Sequence, residues 1–339
     1  MNLISPERFK KLLNNIKSIP SVIVLGDVGI DKYTYGNVNR ISPEAPVPVL
    51  EVTEELYKLG LAANVANNFI SLGAKATICG VTGDDKNGSL FESLLSDFSI
   101  KSWGIIRDAS RKTTYKERVL TNFQQICRVD YETSTAIEAD LEEKLFKRIR
   151  ELKDDHGSLI IEDYGKGVLT EKLTQRVIKE FTESNKIVAI DPSRSTPPKY
   201  YQGATLLKPN WKESVRIASE LGYHGEKLEQ ITELLVDKLK LEKILITLGK
   251  DGMALLDTKT DGKLKRIPTV AMEVFDVSGA GDTAICMITA ALLSGATLEE
   301  AAWMGNCASG LVVGKKGTAT VTITELEKYY IRLQQKFEK

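Results

Sequence analysis

The stretch 274-VFDVSGAGDTAICMITAALLSG-295 decides how this chain folds. A strand-like Val-Phe-Asp-Val leads into a turn with two glycines, and the mostly apolar segment that follows begins with the charged residue Asp282. Apolar residues at 285, 288 and 292 have helical spacing, so the sequence predicts a helix that begins near Asp282. The first N–H groups of a helix lack partners within it and carry the positive end of its dipole, so this turn is a candidate phosphoryl site.

Asp282 itself allows two interpretations. Aspartate is a favoured N-cap, so capping alone explains a carboxylate at a helix start. A cap does not need the Gly279-Ala280-Gly281 turn before it, however, and a carboxylate beside an anion site can accept the proton of a hydroxyl that attacks a phosphoryl group. The helix dipole is expected to keep such a carboxylate ionised and weakly basic.

Composition restricts the classes of partner. Among 339 residues, Lys+Arg and Asp+Glu are equal at 46 each, so no net field favours nucleic acid or an anionic membrane. The N-terminus lacks the apolar run of a signal peptide, and the longest apolar run, 284–293, is too short to span a bilayer. The four cysteines form no CxxC pair, which is typical of buried thiols in a reducing cytoplasm. We therefore expect a cytoplasmic protein that binds neither nucleic acid nor membrane.

The other common catalytic patterns are absent from the sequence. The two histidines, His156 and His224, cannot supply a histidine-based metal centre, and their turn-like glycine contexts do not suit a Ser-His-Asp triad, so the expected base is a carboxylate. There is no GxxxxGK[ST] phosphate loop, and the first strand ends in 26-GDVGID-31 rather than GxGxxG, which disfavours a Rossmann oxidoreductase.

Strand and helix patterns alternate along the chain. Five apolar, β-branched runs predict strands, at 22–26, 76–81, 158–163, 186–191 and 243–249. Helical segments such as 61–73 lie between them, and no linker interrupts the pattern, so we expect one α/β domain over 1–339 with a central, mainly parallel sheet. Several runs end in Gly or Asp, at the sheet edge where such folds bind ligands.

One segment departs from this alternation. Prolines at 43, 46 and 48 exclude 42-SPEAPVPVLEV-52 from a central strand, so we predict an extended arm or edge strand outside the main sheet. The β-prone residues 113–130 are its candidate partner. The two excursions, approximately 32–58 and 110–130, predict a small β-lid over the ligand face, with ordinary surface hairpins as the alternative.

The motif 276-DVSGAGD-282 resembles the signature of the ribokinase-like (PfkB) carbohydrate kinases. Further segments with counterparts in that family follow in order, at 26–52, 60–74, 123–130, 163–167, 203–210 and 311–321. Together they are most similar to one subgroup, the D-glycero-β-D-manno-heptose 7-phosphate 1-kinases. The resemblance implies a ribokinase-like fold, a β-lid that often mediates dimerisation, and transfer of the ATP γ-phosphate to a sugar hydroxyl.

The resemblance also assigns roles on the sugar side of the site. It makes Asp282 the catalytic base and the backbone amides of Gly279, Ala280 and Gly281 the anion site. It assigns sugar contacts to Asp31, Gly60 and Asn64. Without it, Asp31 is a turn residue and Asn64 a helix-capping residue.

On the nucleotide side, 210-NWKE-213 matches the N-x-x-E motif of the family, in which Glu213 organises the water shell of Mg²⁺. Magnesium ions prefer oxygen ligands and usually keep several waters. The alternative for Glu213 is a solvated charge on a helix face. The remaining assignments are Thr247, Gly249 and Gly252 along the ATP phosphates and ribose, Asn306 near the adenine, and Asp276 near a potassium ion or, alternatively, as a turn acceptor.

A phosphorylated sugar requires a basic residue at its distal phosphate. The candidates are Arg128, Lys166 and Lys208, with Asp163 of 163-DYGKG-167 assigned to the same substrate side. Arginine suits bidentate phosphate contact better than lysine.

Three departures from the sequence pattern of the subgroup leave the identity of the sugar substrate open. Leu61 stands where the heptose kinases usually carry glycine, and leucine adopts a positive φ only at a cost. Ser193, followed by Arg194, stands where they carry lysine, and Lys208 where they carry threonine. The alternatives are therefore a kinase of another sugar or sugar phosphate, or a catalytically idle sugar-nucleotide sensor. The 339 residues contain no H-x-G-H motif, so we expect no nucleotidyltransferase domain in this chain.

Overall fold

Two sheets and ten α-helices make up the described part of the chain, which in this computed structural model comprises residues 4–121, 124–315 and 317–337. The strands are β1 (Ser21–Gly26), β2 (Val28–Ile41), β3 (Pro48–Leu61), β4 (Ala76–Gly83), β5 (Lys101–Asp108), β6 (Thr114–Leu120), β7 (Gln125–Tyr131), β8 (His156–Glu162), β9 (Ile187–Asp191), β10 (Leu206–Leu207), β11 (Lys243–Thr247), β12 (Met253–Asp257) and β13 (Lys265–Ile267). The helices are α1 (Pro6–Ile16), α2 (Ala62–Ser71), α3 (Lys86–Asp97), α4 (Ala139–Leu152), α5 (Glu171–Thr182), α6 (Trp211–Glu220), α7 (Leu228–Leu239), α8 (Ala280–Leu293), α9 (Leu298–Val312) and α10 (Ile323–Phe337).

The large sheet contains nine strands in the order β13-β12-β11-β10-β9-β8-β1-β4-β5. All neighbours from β11 to β5 are parallel, and only β12 and β13 add antiparallel pairs at one end. Each of the five predicted strands is present with its ends shifted by at most two residues. The prediction of an α/β fold with a mainly parallel central sheet is thus confirmed.

Helices cover both faces of this sheet because its strands are apolar on both faces. Val22 and Val24 of β1 belong to one buried cluster, whereas Ile23 and Leu25 belong to the other. The first cluster draws on α1, α2, α3, α8, α9 and α10, and the second on α4, α5, α6 and α7. No helix within the described ranges is long and apolar enough to cross a membrane.

The smaller sheet, here called the lid sheet, has the order β3-β2-β6-β7. Strands β2 and β3 form an antiparallel hairpin, β6 pairs parallel with the other side of β2, and β7 pairs with β6. The described residues of the predicted lid ranges fall within this sheet or the loops that adjoin its strands, whereas residues 122 and 123 lie outside the described residues. The predicted pairing of 42–52 with 113–130 is wrong, because the turn at 42–47 returns the chain onto β2 and leaves β3 at the edge.

One cysteine differs from the expected burial. Cys79, Cys286 and Cys307 are buried in the main domain, but Cys127 is exposed. It lies on β7, the outer strand of the lid sheet, where no second layer of the described chain covers it.

Candidate active site

The glycine turn forms the start of helix α8, with Gly279 at the N-cap in the left-handed region, φ +78°. Helix α8 begins at Ala280, so Asp282 is its third residue. No side chain caps this helix, and the Asp282 carboxylate instead binds groups from two other elements. The capping interpretation of Asp282 is therefore wrong.

Two donors hold the Asp282 carboxylate from opposite sides. Asn64 Nδ2 of helix α2 donates to Oδ2 over 2.7 Å, and the Tyr164 hydroxyl donates to Oδ1 over 2.9 Å. Burial raises the pKa of Asp282 to about 6, although the two donors favour the ionised form. The expectation of a weakly basic carboxylate, drawn from the helix dipole, thus underestimates the basicity of Asp282, because burial outweighs the dipole. The carboxylate therefore suits proton acceptance near neutral pH.

Two further carboxylates and a lysine surround Asp282. Oxygens of Glu162, Asp191 and Asp282 all lie within 4.8 Å of one another. Glu162 and Asp191 end the adjacent parallel strands β8 and β9, which brings both to the same edge of the sheet. Lys208 Nζ lies 2.8 Å from Asp191 Oδ2, and this ion pair raises the pKa of Lys208 although burial opposes it.

Lys208 therefore lies beside the glycine turn. A methyl group placed on Gly281 would lie 3.5 Å from Asp191 Oδ2 and 3.6 Å from Lys208 Nζ. Lys208 follows β10, which pairs with β9, and its role at the distal phosphate stays a prediction.

Two adjoining cavities meet at this centre. The larger, of about 840 Å³, contains Asp282, Lys208 and Glu213 in its wall. The smaller, of about 330 Å³, is lined mainly by apolar residues, together with Gly252, Asn306, Lys250 and hydroxyl residues such as Thr269. The residues common to both walls are Thr247, Gly249, Val277 and Gly281. The structure thus brings the predicted nucleotide residues together around one continuous depression beside the glycine turn.

Asn210 and Glu213 form a capping box at the start of helix α6. Glu213 N donates to Asn210 Oδ1 over 3.0 Å, and Asn210 N donates to Glu213 Oε2 over 2.9 Å. Glu213 is half-buried rather than a solvated helix-face charge, and burial together with Asp191 raises its pKa. The exposed Arg194 lies 3.8 Å from its other oxygen.

The other predicted nucleotide residues have structural partners. Asn306 Nδ2 donates to the Pro268 carbonyl over 2.7 Å. Gly252 has φ +88°, and a methyl group there would lie 2.1 Å from the Ile267 carbonyl oxygen, so only glycine fits. Asp276 accepts the N–H groups of Ser278 and Gly317; burial raises its pKa, but these donors outweigh burial and lower it.

On the sugar side, Asp31 of β2 lies next to Gly60 of β3. A methyl group on Gly60 would lie 3.1 Å from the Asp31 carboxylate. Because glycine has no side chain, this side of the carboxylate stays open. Arg118 Nη1 donates to Asp31 Oδ1 over 2.7 Å, and its guanidinium carbon lies 5.2 Å from the Tyr33 ring centre.

Three of the predicted substrate residues have other partners. Arg128 is exposed and pairs with Asp130, and Lys166 Nζ donates to Glu132 over 2.7 Å. The backbone N–H of Lys166 is held by buried Asp27, which also accepts the N–H groups of Tyr164 and Val168. The Asp163 carboxylate, although its residue lines the larger cavity, accepts the hydroxyl of Tyr201 and the N–H of Gly165.

Sequence reasoning missed four residues that the structure places in the candidate site or next to it. They are Glu162, Tyr164, Arg118 and Asp27. The acidic end of 158-SLIIED-163 was a signal for Glu162, and Tyr164 lies within the motif 163-DYGKG-167. No local pattern indicated the contacts of Tyr164 or Arg118, because their partners lie far away in the chain.

Leu61, the departure next to the sugar side, adopts φ +53° as the residue before helix α2. It is 5% exposed, and a methyl group on Gly29 would lie 2.9 Å from its Cδ1. Leu61 therefore keeps a backbone with positive φ, which glycine adopts freely and leucine adopts only at a cost in free energy. Its side chain offsets this cost by packing against the lid sheet.

Most of this chain matches known proteins in sequence and in fold. The chain is 40% identical over 310 residues to the bifunctional protein HldE of Nitratiruptor, covering 91% of this chain and 65% of that protein. Ribokinase from Thermotoga maritima superposes with a TM-score of 0.73 at 20% identity, covering 92% and 99% of the two chains. Arabidopsis thaliana ribokinase complexed with ribose and ATP gives 0.67 at 21% identity, covering 93% and 98%. The family model "pfkB family carbohydrate kinase" matches residues 20–325, and the chain belongs to this family.

Proposed function

We propose that this chain transfers the γ-phosphate of ATP to the anomeric hydroxyl of D-glycero-β-D-manno-heptose 7-phosphate and forms the 1,7-bisphosphate. The observation that carries the proposal is the Asp282 carboxylate, held by Asn64 and Tyr164 beside the Gly279–Gly281 turn. The similarity to HldE and the ribokinase complex with ribose and ATP support a sugar kinase that uses ATP. The choice of the heptose phosphate as the substrate rests on the sequence resemblance.

In the proposed mechanism, Asp282 orients the attacking hydroxyl and accepts its proton. The N–H groups at the start of α8 bind the developing negative charge, and Lys208 adds a fixed positive charge beside Gly281. Because phosphoryl transfer passes through a loose transition state, catalysis depends mainly on this positioning.

Glu213 fits the proposed magnesium role. Its carboxylate is half-buried in the cavity wall, with one oxygen fixed by the Asn210 N–H. Mg²⁺ held there through water would supply positive charge to the phosphates. The potassium role proposed for Asp276 fits less well, because both of its oxygens already accept backbone N–H groups, so it is left out of the mechanism.

For the distal phosphate we propose Arg118 and Lys58 of the lid sheet, in place of Arg128 and Lys166. Lys58 Nζ donates to the Thr318 carbonyl over 2.8 Å, and its ammonium lies 5.3 Å from the Tyr33 ring centre that Arg118 also approaches. Two cations therefore flank one ring on the lid-sheet face that carries Asp31.

We also propose a cytoplasmic homodimer formed through the lid sheet. The lid-sheet face opposite the one that carries Asp31 exposes Tyr57, Val129 and Tyr131, and the exposed fractions of these residues are 37%, 39% and 45%. Val129 and Tyr131 lie on β7 and Tyr57 lies on β3 at the other edge of the sheet. Exposed aromatic and apolar side chains on one face of a sheet favour a protein interface.

The deciding experiment measures ADP release with Mg·ATP and a panel of heptose 7-phosphate, sedoheptulose 7-phosphate, fructose 6-phosphate, ribose and mannose. Asp282→Asn serves as the blank, and its rate should fall by about 10² to 10⁴ while ATP binding persists. Turnover confined to heptose 7-phosphate supports the proposal. Turnover of another sugar favours the second candidate, a different sugar kinase, for which Leu61 beside Asn64 is the observation. No turnover with ATP bound favours the idle sensor.

A further inference from the structure

Asp27 lies at the point where the chain passes from the main sheet to the lid sheet. It stands between the last residue of β1, Gly26, and the first residue of β2, Val28. Its backbone carbonyl accepts the N–H of Ala62 over 3.1 Å, and Ala62 begins helix α2 directly after β3. Both strands of the lid hairpin thus meet the main domain at Asp27.

The Asp27 side chain is 1% exposed and binds the loop that follows β8. Its Oδ2 accepts the N–H groups of Tyr164 and Lys166, each over 3.0 Å, and its Oδ1 accepts the N–H of Val168 over 3.2 Å. Burial raises the pKa of Asp27 to about 6, and the three donors oppose this rise because they favour the ionised form. One carboxylate therefore holds alternate N–H groups of a single loop.

This loop, residues 164–168, depends on Asp27 because it belongs to no helix or strand. Buried N–H groups need acceptors, and outside regular structure these acceptors come from side chains or water. Arg111 holds the loop at a second point, where its Nη2 donates to the Lys166 carbonyl over 2.6 Å. Among charged groups, Asp163 and Arg111 act on Asp27 with opposite signs.

Tyr164 connects the loop to the proposed base. Its hydroxyl donates to Asp282 Oδ1 over 2.9 Å, and this hydrogen bond favours the ionised carboxylate, whereas burial favours the protonated one. We propose that Asp27 is a positioning residue, whose carboxylate fixes the 164–168 loop so that the Tyr164 hydroxyl reaches Asp282. The inference rests on the proposed function, in which Asp282 is the base, and deepens it, because Asp27 acts on the reaction through Tyr164.

The two ways in which Asp27 can act on Asp282 differ in sign. Asp27→Asn keeps one acceptor oxygen but turns an NH2 group toward backbone N–H donors, so the loop shifts and the Tyr164 hydroxyl is withdrawn, which raises the pKa of Asp282. Loss of the negative charge of Asp27, acting alone, lowers that pKa instead. The other groups that face Asp282 are unchanged in both cases, and they are Asn64, Glu162, Asp191 and Lys208.

The test is the titration of Asp282 in protein free of sugar and nucleotide, measured by infrared difference spectroscopy of each variant against the same variant with Asp282→Asn. Asp27→Asn should raise the midpoint by about one pH unit or more, the size expected for loss of a hydrogen bond to a charged group. In a Tyr164→Phe background it should cause no further rise, because both changes remove the same hydrogen bond.

Asp85→Asn is the matched control. The Asp85 carboxylate also accepts backbone N–H groups, from Gly88 and Thr113, so its loss should lower stability and leave the midpoint of Asp282 unchanged. An unchanged or lower midpoint in Asp27→Asn would overturn the proposal, as would an equal rise in Asp85→Asn or in the Tyr164→Phe background. If Asp27→Asn does not fold, Asp27→Ser replaces it, because a small side chain leaves room for water to accept the N–H groups.

This titration needs no turnover, so it separates the inference from the proposed function. If the wild type phosphorylates none of the panel sugars, the proposed function fails, and the midpoints still decide the role of Asp27. If the wild type does phosphorylate one, the acid limb of kcat should move to higher pH in Asp27→Asn and Tyr164→Phe alike, because turnover requires ionised Asp282.

Discussion

The amide of Asn64 donates to Asp282 Oδ2 over 2.7 Å and joins the first turns of helices α2 and α8. These residues are 218 positions apart, so the bond exists only in the folded chain. It connects Asn64, one of the predicted sugar-contacting residues, to the proposed base.

Replacing Asn64 by alanine should lower kcat by about tenfold to a hundredfold. The change removes a hydrogen bond to a charged group, which is worth about 1.5–3 kcal/mol. Asn68→Ala is the matched control, since Asn68 lies one turn later on the same helix and binds Thr283 and the Asn64 carbonyl. Steady-state kinetics and urea unfolding should show reduced stability in both variants but reduced kcat mainly in Asn64→Ala. Equal kcat values would contradict the positioning role.

Tyr164→Phe should move the pH profile of turnover to higher pH. Asp282 must be ionised to accept a proton, so the rate falls as pH drops through its pKa, which burial raises to about 6. The Tyr164 hydroxyl stabilises the ionised form, and its loss raises that pKa further. The measurement is kcat against pH at fixed Mg²⁺, with Tyr201→Phe as control because its hydroxyl binds Asp163 instead. An unchanged profile in Tyr164→Phe would argue against Asp282 as the titrating base.

Arg118→Met should raise KM for a phosphorylated sugar by about tenfold to a hundredfold, which corresponds to the loss of a charge-assisted hydrogen bond. An unphosphorylated analogue should be affected much less. Arg128→Met is the control, since Arg128 is the cross-strand neighbour of Arg118 but is exposed and pairs with Asp130. If Arg128→Met causes the larger KM change, the distal phosphate lies further out on the lid sheet than we propose.

Leu61→Gly should destabilise the protein less than Leu59→Gly. Both leucines are buried, at 5% and 1% exposure, so both changes lose apolar burial. Only Leu61 has φ +53°, and glycine there relieves about 1–2 kcal/mol of backbone strain. Equilibrium urea unfolding measures the difference. A larger loss for Leu61→Gly would mean that the leucine packing outweighs the strain.

The sequence alone predicted the main sheet, because each central strand is a short apolar run buried on both faces and flanked by turn residues. It also predicted the glycine turn and helix α8, since glycine conformation and helical spacing are local properties. The prolines correctly excluded 42–52 from a central strand, but they carried no information about which strand it joins. That choice depended on the turn at 42–47, which favours pairing with the adjacent β2 over a distant partner.

Only the tertiary structure decided how the charged side chains pair. Arg128, Lys166 and Lys208 were equivalent as basic residues in the sequence, and the fold directs them to Asp130, Glu132 and Asp191. Arg118 and Tyr164 became site residues through contacts across 87 and 118 positions of the chain. The physical reason is that a charge or hydroxyl acquires its role from the partner and the burial it meets, and both arise only when distant segments pack together.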